Sequence, residues 1–221
     1  MRKFEQKFRV SAKLNIAVFA SGRGSNFRAI VDAIKNGSIP HAKIVVVISN
    51  NSDAGALQIA KENGITGLHL SRKQFSSDES FTTELLQTLR SHRTNLIVLA
   101  GYMKKIDPTI IRAFRKRIIN VHPALLPSFG GTGMYGLRVH EAVIASKATV
   151  TGATVHVVDE EYDHGQILLQ KEVPVEPDDT PESLAARVLK VEHEIYPQAI
   201  RLIAEGQITL DGHQPEDFNS R

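Results

Sequence analysis

Short apolar runs alternate along this chain with stretches whose apolar residues return every three or four positions. The runs read as buried strands and the spaced stretches as helices with one apolar face. Residues 15–20 (NIAVFA) form the first run, and a turn, SGRGSN, follows it. Phe27, Ile30, Val31 and Ile34 then fall at i, i+3, i+4 and i+7, a helix that stops at Gly37. A second strand opens at Lys43 (KIVVVIS), and a short helix through Leu57 and Ala60 ends near Gly64. Ser76 and Glu79 have capping-box spacing before a helix carrying Phe81, Leu85 and Leu89. Residues 95–102 (NLIVLAGY) make a strand, and Asp107 and Pro108 then suit the cap and first position of a helix. Strand RIINVH ends at His122, a Pro- and Gly-rich stretch runs from Pro123 to Gly136, and a helix surrounds residues 140–146. In TVTGATVHVVD, Thr151, Ala153, Val155 and Val157 share one face of a strand, and Thr154 and His156 the other. Strand QILLQKEV follows DHG. The last helix opens at Thr180 and Pro181 and repeats Leu184, Val188, Val191 and Ile195, with Pro197 expected to kink or break it.

Strands alternating with helices predict an α/β fold: a doubly wound, mostly parallel Rossmann-type sheet with helices on both faces. At 221 residues, with 42% hydrophobic and 23% charged, the composition fits one soluble globular domain. Its expected extent is residues 15–206, between a basic N-terminal extension (1–14) and a polar, frayed tail (207–221). Without cysteine there is no disulfide, thiolate metal site or cysteine nucleophile. The longest apolar runs are too short to cross a bilayer, and the basic N-terminus has no apolar signal core, so the expectation is a cytoplasmic protein with no membrane partner. A net charge of +3 changes little, because residues 1–14 carry +4 and the remainder −1. The basic balance belongs to an arm and gives no reason to expect nucleic acid.

Four motifs could carry chemistry. SGRGSN, between a strand and a helix, offers backbone N–H groups and a helix N-terminus to a phosphate. Phe27 stands where a dinucleotide fingerprint needs its third glycine, and the next strand ends in Ser49, Asn50 and Asn51 instead of an acid, which favours a monophosphate. In NVHPALLP, Asn120 and His122 share a face at a strand's carboxyl end, an amide and an imidazole able to act as oxyanion stabiliser and general acid. DEEYDHG places Asp163 where it could favour the charged form of a nearby imidazole. No motif has metal-ligand spacing, since HEAVI and HEIYP both lack the second histidine of H-E-x-x-H. In VEHEIYP, Glu192 lies at the edge of an apolar helix stripe, within reach of a cleft.

Together and in this order, FASGRGSN, VLAGYMKKI, INVHPALLP, TGATVHVVDEEYDHGQIL and VEHEIYP resemble the glycinamide ribonucleotide formyltransferase family, from Asn15 to about Gly206. The resemblance implies formyl transfer from 10-formyltetrahydrofolate, as co-substrate, to the amine of glycinamide ribonucleotide in purine biosynthesis. It implies that Gly24, Ser25, Asn26 and Glu192 hold the ribonucleotide. Met103, Lys104, Lys105, Ile106 and Asn120 would border the folate. Asn120, His122 and Asp163 would carry the chemistry, with Asp163 raising the pKa of His122 and relaying a proton, and no metal. Partners are then small molecules, and the protein a monomer or homodimer. The sequence departs from the family pattern in the glycine-rich SFGGTGMYGLRVH, expected to be a mobile loop. It departs again at Asp78, where some members present an arginine to the folate tail; Arg72 and Lys73 are the neighbouring candidates. A hydrolase or another formyltransferase would use the same trio on another acceptor, whereas a non-catalytic phosphate-binding module would leave the trio without a purpose.

Overall fold

The structure, a computed structural model, describes residues 13–210. The expected basic extension up to residue 12 and the tail from residue 211 lie outside them. Seven strands form one sheet: β1 (Leu14–Phe19), β2 (Ala42–Ser49), β3 (Gly67–His69), β4 (Leu96–Leu99), β5 (Ile118–His122), β6 (Val150–Val157) and β7 (Ile167–Pro174). Their spatial order is β3-β2-β1-β4-β5-β6-β7. The first five run parallel, while β6 is antiparallel to β5 and β7 to β6. This is the doubly wound, mostly parallel sheet that the patterning predicts.

Among the described residues six α-helices cover it: α1 (Ser25–Lys35), α2 (Gly55–Glu62), α3 (Asp78–Ser91), α4 (Pro108–Ala113), α5 (Leu137–Ala145) and α6 (Pro181–Ala204). Alternation along the central strands divides the core. Ile16 and Val18 of β1 and Leu96 and Val98 of β4 pack with Phe27 and Ile30 of α1 and with Leu184, Val188 and Tyr196 of α6. Ala17, Phe19, Ile97 and Leu99 point the other way, against Leu85 and Leu89 of α3 and Ile110 of α4. Both faces of these strands are buried, which is why they read as unbroken apolar runs.

Three details differ from the sequence reading. Helix α6 runs through Pro197 without a break. An interior proline costs roughly 3 kcal/mol, but Ile195, Tyr196, Ala199 and Ile200 are buried around it, each large side chain worth about 1.5–3 kcal/mol. The cap of α3 is Ser77, whose Oγ accepts from the Ser80 N–H, and not Ser76 with Glu79. With that register Asp78 and Glu79 both fall in the first turn, at the positive end of the helix. Strand β3 and a 3-10 turn over Arg72–Gln74 were not foreseen; three residues are too few to show a period. Among the described residues, no helix is long and apolar enough to cross a membrane.

Candidate functional site

The carboxyl ends of β4 and β5 open into a cavity of about 570 Å³, where open α/β sheets place their ligands. Asn26, Met103 to Ile106, Asn120, His122, Asp163 and Glu192 all lie on its wall.

At its centre is a carboxylate between two imidazoles. Asp163 Oδ2 lies 3.6 Å from His122 Nδ1, and its Oδ1 lies 3.5 Å from His156 Nε2. Asp163 has a left-handed backbone (φ 56°), a conformation that short polar side chains tolerate, and its Oδ2 accepts the Gly131 N–H at 2.9 Å. The other nitrogen of His122 lies 2.8 Å from the Phe129 carbonyl, so both ring nitrogens face oxygen acceptors. His156 stands opposite Asn120 across the antiparallel β5–β6 pair. Its Nδ1 lies 2.9 Å from the Val157 carbonyl, which assigns the proton of the neutral ring to that nitrogen and leaves Nε2 to accept from Asn120 Nδ2 at 3.1 Å. Burial holds the His156 pKa below its ordinary value, consistent with the neutral ring.

One end of the cavity is set by α1 and α6. Gly24 caps α1 at φ 79°, and no side chain caps that helix start. A Cβ on Gly24 would lie 2.9 Å from the Ala56 Cα, so the turn rests directly on α2. Asn26 Nδ2 donates to Glu192 Oε2 at 2.6 Å. The Asn26 Oδ1 is buried and has no partner. Burial pushes the Glu192 carboxyl up to about 7, and the bond from Asn26 works against that. The other end is the turn after β4. Met103 is half exposed, Ile106 is buried, and Lys105 Nζ lies 5.3 Å from the centre of the Tyr162 ring.

A family model described as formyl transferase matches residues 14–200. The phosphoribosylglycinamide formyltransferase of Haemophilus influenzae is 41% identical over 195 residues, which cover 88% of this chain and 89% of that protein. The chain belongs to the phosphoribosylglycinamide formyltransferase family. The protein named chloroplastic phosphoribosylglycinamide formyltransferase in Vigna unguiculata is 46% identical over 193 residues, 87% of this chain. The chain spans only 62% of that relative's length. The crystal structure of glycinamide ribonucleotide transformylase 1 from Symbiobacterium toebii superposes with a TM-score of 0.83 at 40% identity, covering 90% of this chain and 91% of that one.

The family's motifs, scattered along the sequence, thus meet in one place. Gly24 and Ser25 are the exceptions: they lie off the cavity wall, at the cap and first residue of α1 beside Asn26. Arg72 is engaged by Asp78 and by the Phe75 carbonyl, and neither Arg72 nor Lys73 reaches the wall. The glycine-rich stretch contributes Gly131 to Gly136 to the wall. His156 was not singled out from the sequence. Its signal was present as a polar residue at alternate spacing with Thr154 in an otherwise apolar strand, but its pairing with the strand that carries Asn120 could not be read. Among the described residues, no group of three or more His, Cys, Asp or Glu is arranged to hold a metal ion.

Proposed function

We propose that the chain transfers the formyl group of 10-formyltetrahydrofolate to the amine of glycinamide ribonucleotide, a step of purine biosynthesis. One observation carries the reading. Asn120, His122 and Asp163 are joined through His156 in a single cavity, between a helix start suited to a phosphate and the turn 103–106. Plain phosphate binding gives no reason for that cluster.

In this reading the helix start at Gly24, Ser25 and Asn26 receives the phosphate. Asn26 Oδ1 and the Glu192 carboxylate accept hydrogens from the rest of the ribonucleotide. Met103, Lys104, Lys105 and Ile106 border the folate. The amine forms a bond to the formyl carbon and gives up a proton, while the carbon's bond to the folate nitrogen breaks and that nitrogen gains one. The carbonyl oxygen carries the developing charge in between. Asn120 has a second N–H beyond the one given to His156, and it donates to that oxygen, an effect worth roughly 10²–10³ in rate. His122 donates as well, exchanging its bond to the Phe129 carbonyl for one to the oxyanion. Asp163 compensates positive charge on the imidazole and relays the proton between the two nitrogens. Metal has no part in this scheme.

Residues 15–206 act as one unit in this reading, because Asn26 near one end and Glu192 near the other share a hydrogen bond. All the groups invoked come from a single chain, so a monomer or a homodimer serves equally. The substrates are water-soluble, which is the ground for retaining the cytoplasm as the site of action. The test is formyl transfer followed spectrophotometrically with and without the ribonucleotide. Turnover should require it. His122→Ala should lose roughly 10²–10⁴ in kcat and still bind the ribonucleotide. Folate release without acceptor would make the protein a hydrolase, and a fully active His122→Ala would remove the catalytic assignment.

A further inference from the structure

Three turns at the carboxyl edge of the sheet meet at one hydroxyl that the chemistry above does not use. Ser21 follows β1 and is partly buried. Its N–H donates to the Gly101 carbonyl at 3.0 Å, and its Oγ accepts the Met103 N–H at 2.8 Å. The same Oγ donates to Asn50 Oδ1, in the turn after β2, at 2.5 Å. Ser21 opens the turn that ends at Gly24 and the start of α1, and Met103 opens the segment 103–106. One residue along, the Gly22 carbonyl accepts the Ala56 N–H from α2 at 3.2 Å. Between α2 and the sheet, the turn therefore has few ways to shift except by moving Met103 with it. We propose that Ser21 is a positioning residue that couples the two substrate sites, so that a phosphate drawing the β1–α1 turn into place also sets the backbone of Met103 for the folate.

This deepens the proposed function and rests on it. A hydrogen-bonded link of this kind acts as an equilibrium coupling, and such couplings are reciprocal: each ligand tightens the other by the same factor. The measurement is calorimetric titration with tetrahydrofolate and glycinamide ribonucleotide, a pair that holds no formyl group and so binds without reacting. Each is titrated alone and in the presence of the other. The parent protein should show a coupling factor of about fivefold or more, in the range usual for linked sites. Ser21→Ala should bind each ligand alone within about threefold of the parent, with the coupling factor below about two. Ser21→Thr, which keeps the hydroxyl, should restore it. If Ser21→Ala does not fold, Ser21→Cys replaces it, since a thiol of similar shape is a weak hydrogen-bonding group. Independent binding in the parent, or full coupling in Ser21→Ala, overturns the inference. Failure of either ligand to bind the parent overturns the proposed function as well, a result plainly different from independent binding.

Discussion

Glu192 is 8% exposed, and its carboxyl titrates at about 7 against 4.5 for an ordinary glutamate. Between those two values the folded protein holds a proton that the unfolded chain has released. The stability this contributes is complete below pH 4.5 and is lost as pH rises to 7. At about 1.4 kcal/mol per unit, the whole effect is at most ~3.5 kcal/mol. Glu192→Gln keeps an acceptor for the Asn26 amide and removes the titration. Thermal unfolding should find the variant more stable than the parent at pH 8 and the two alike near pH 4.5; parallel curves would contradict the burial argument. Binding runs the other way. A ribonucleotide donating hydrogens to Glu192 needs the carboxylate, so its KM should rise more steeply on acidification below pH 7 in the parent than in the variant, where only the ribonucleotide's own phosphate still titrates. The group that loosens the empty protein at neutral pH is thus the one that the proposed substrate uses.

At the scale of elements, the start of α1 joins sequence to site most directly. Gly24 has φ 79°, and its missing Cβ is what lets the turn lie against Ala56. Gly24→Ala should cost about 1–2 kcal/mol from the backbone alone. It should also weaken ribonucleotide binding more than folate binding, read from the two KM values separately. Strands β1, β2, β4 and β5 were legible because their apolar runs are continuous, and caps such as Asp107 and Thr180 were legible because a side-chain oxygen serves the backbone locally. The break expected at Pro197 does not occur because packing around Tyr196 is not local, and Ser76 was misjudged because the next residue is also a serine and two acids favour its register. In the site, Asn120 and His122 share a face through their spacing alone. The link from Asn120 to His156 depends on β6 reversing direction beside β5, a pairing that no window of sequence displays. That Asp78 engages Arg72, and so keeps it off the cavity wall, was hidden for a similar reason: the two meet across the 3-10 turn over Arg72–Gln74.

Across the whole molecule, α6 binds the two halves of the site. Its Tyr196 is fully buried, and the phenol O–H is shared between the carbonyls of Leu99 on β4 (3.1 Å) and Ile119 on β5 (3.0 Å). One turn earlier, Glu192 meets Asn26 of α1. Tyr196→Phe removes the hydrogen bond that both carbonyls share and should cost about 0.5–1.5 kcal/mol. For a protein of this size that is a fall of roughly 1–6 °C in Tm, measured by calorimetry. An unchanged Tm would mean that the phenol is not what ties the helix to the strands.

The bond between Asn26 and Glu192 also has a meaning in time. The two residues are 166 positions apart, and a chain made at roughly 5–20 residues per second takes on the order of 10–30 s to pass from one to the other. Strands β1 to β5 can leave the ribosome and pair while Asn26 still lacks its partner. The pocket for the proposed sugar phosphate is completed only when α6 arrives, long after the segment 103–106 that borders the proposed folate site has been made.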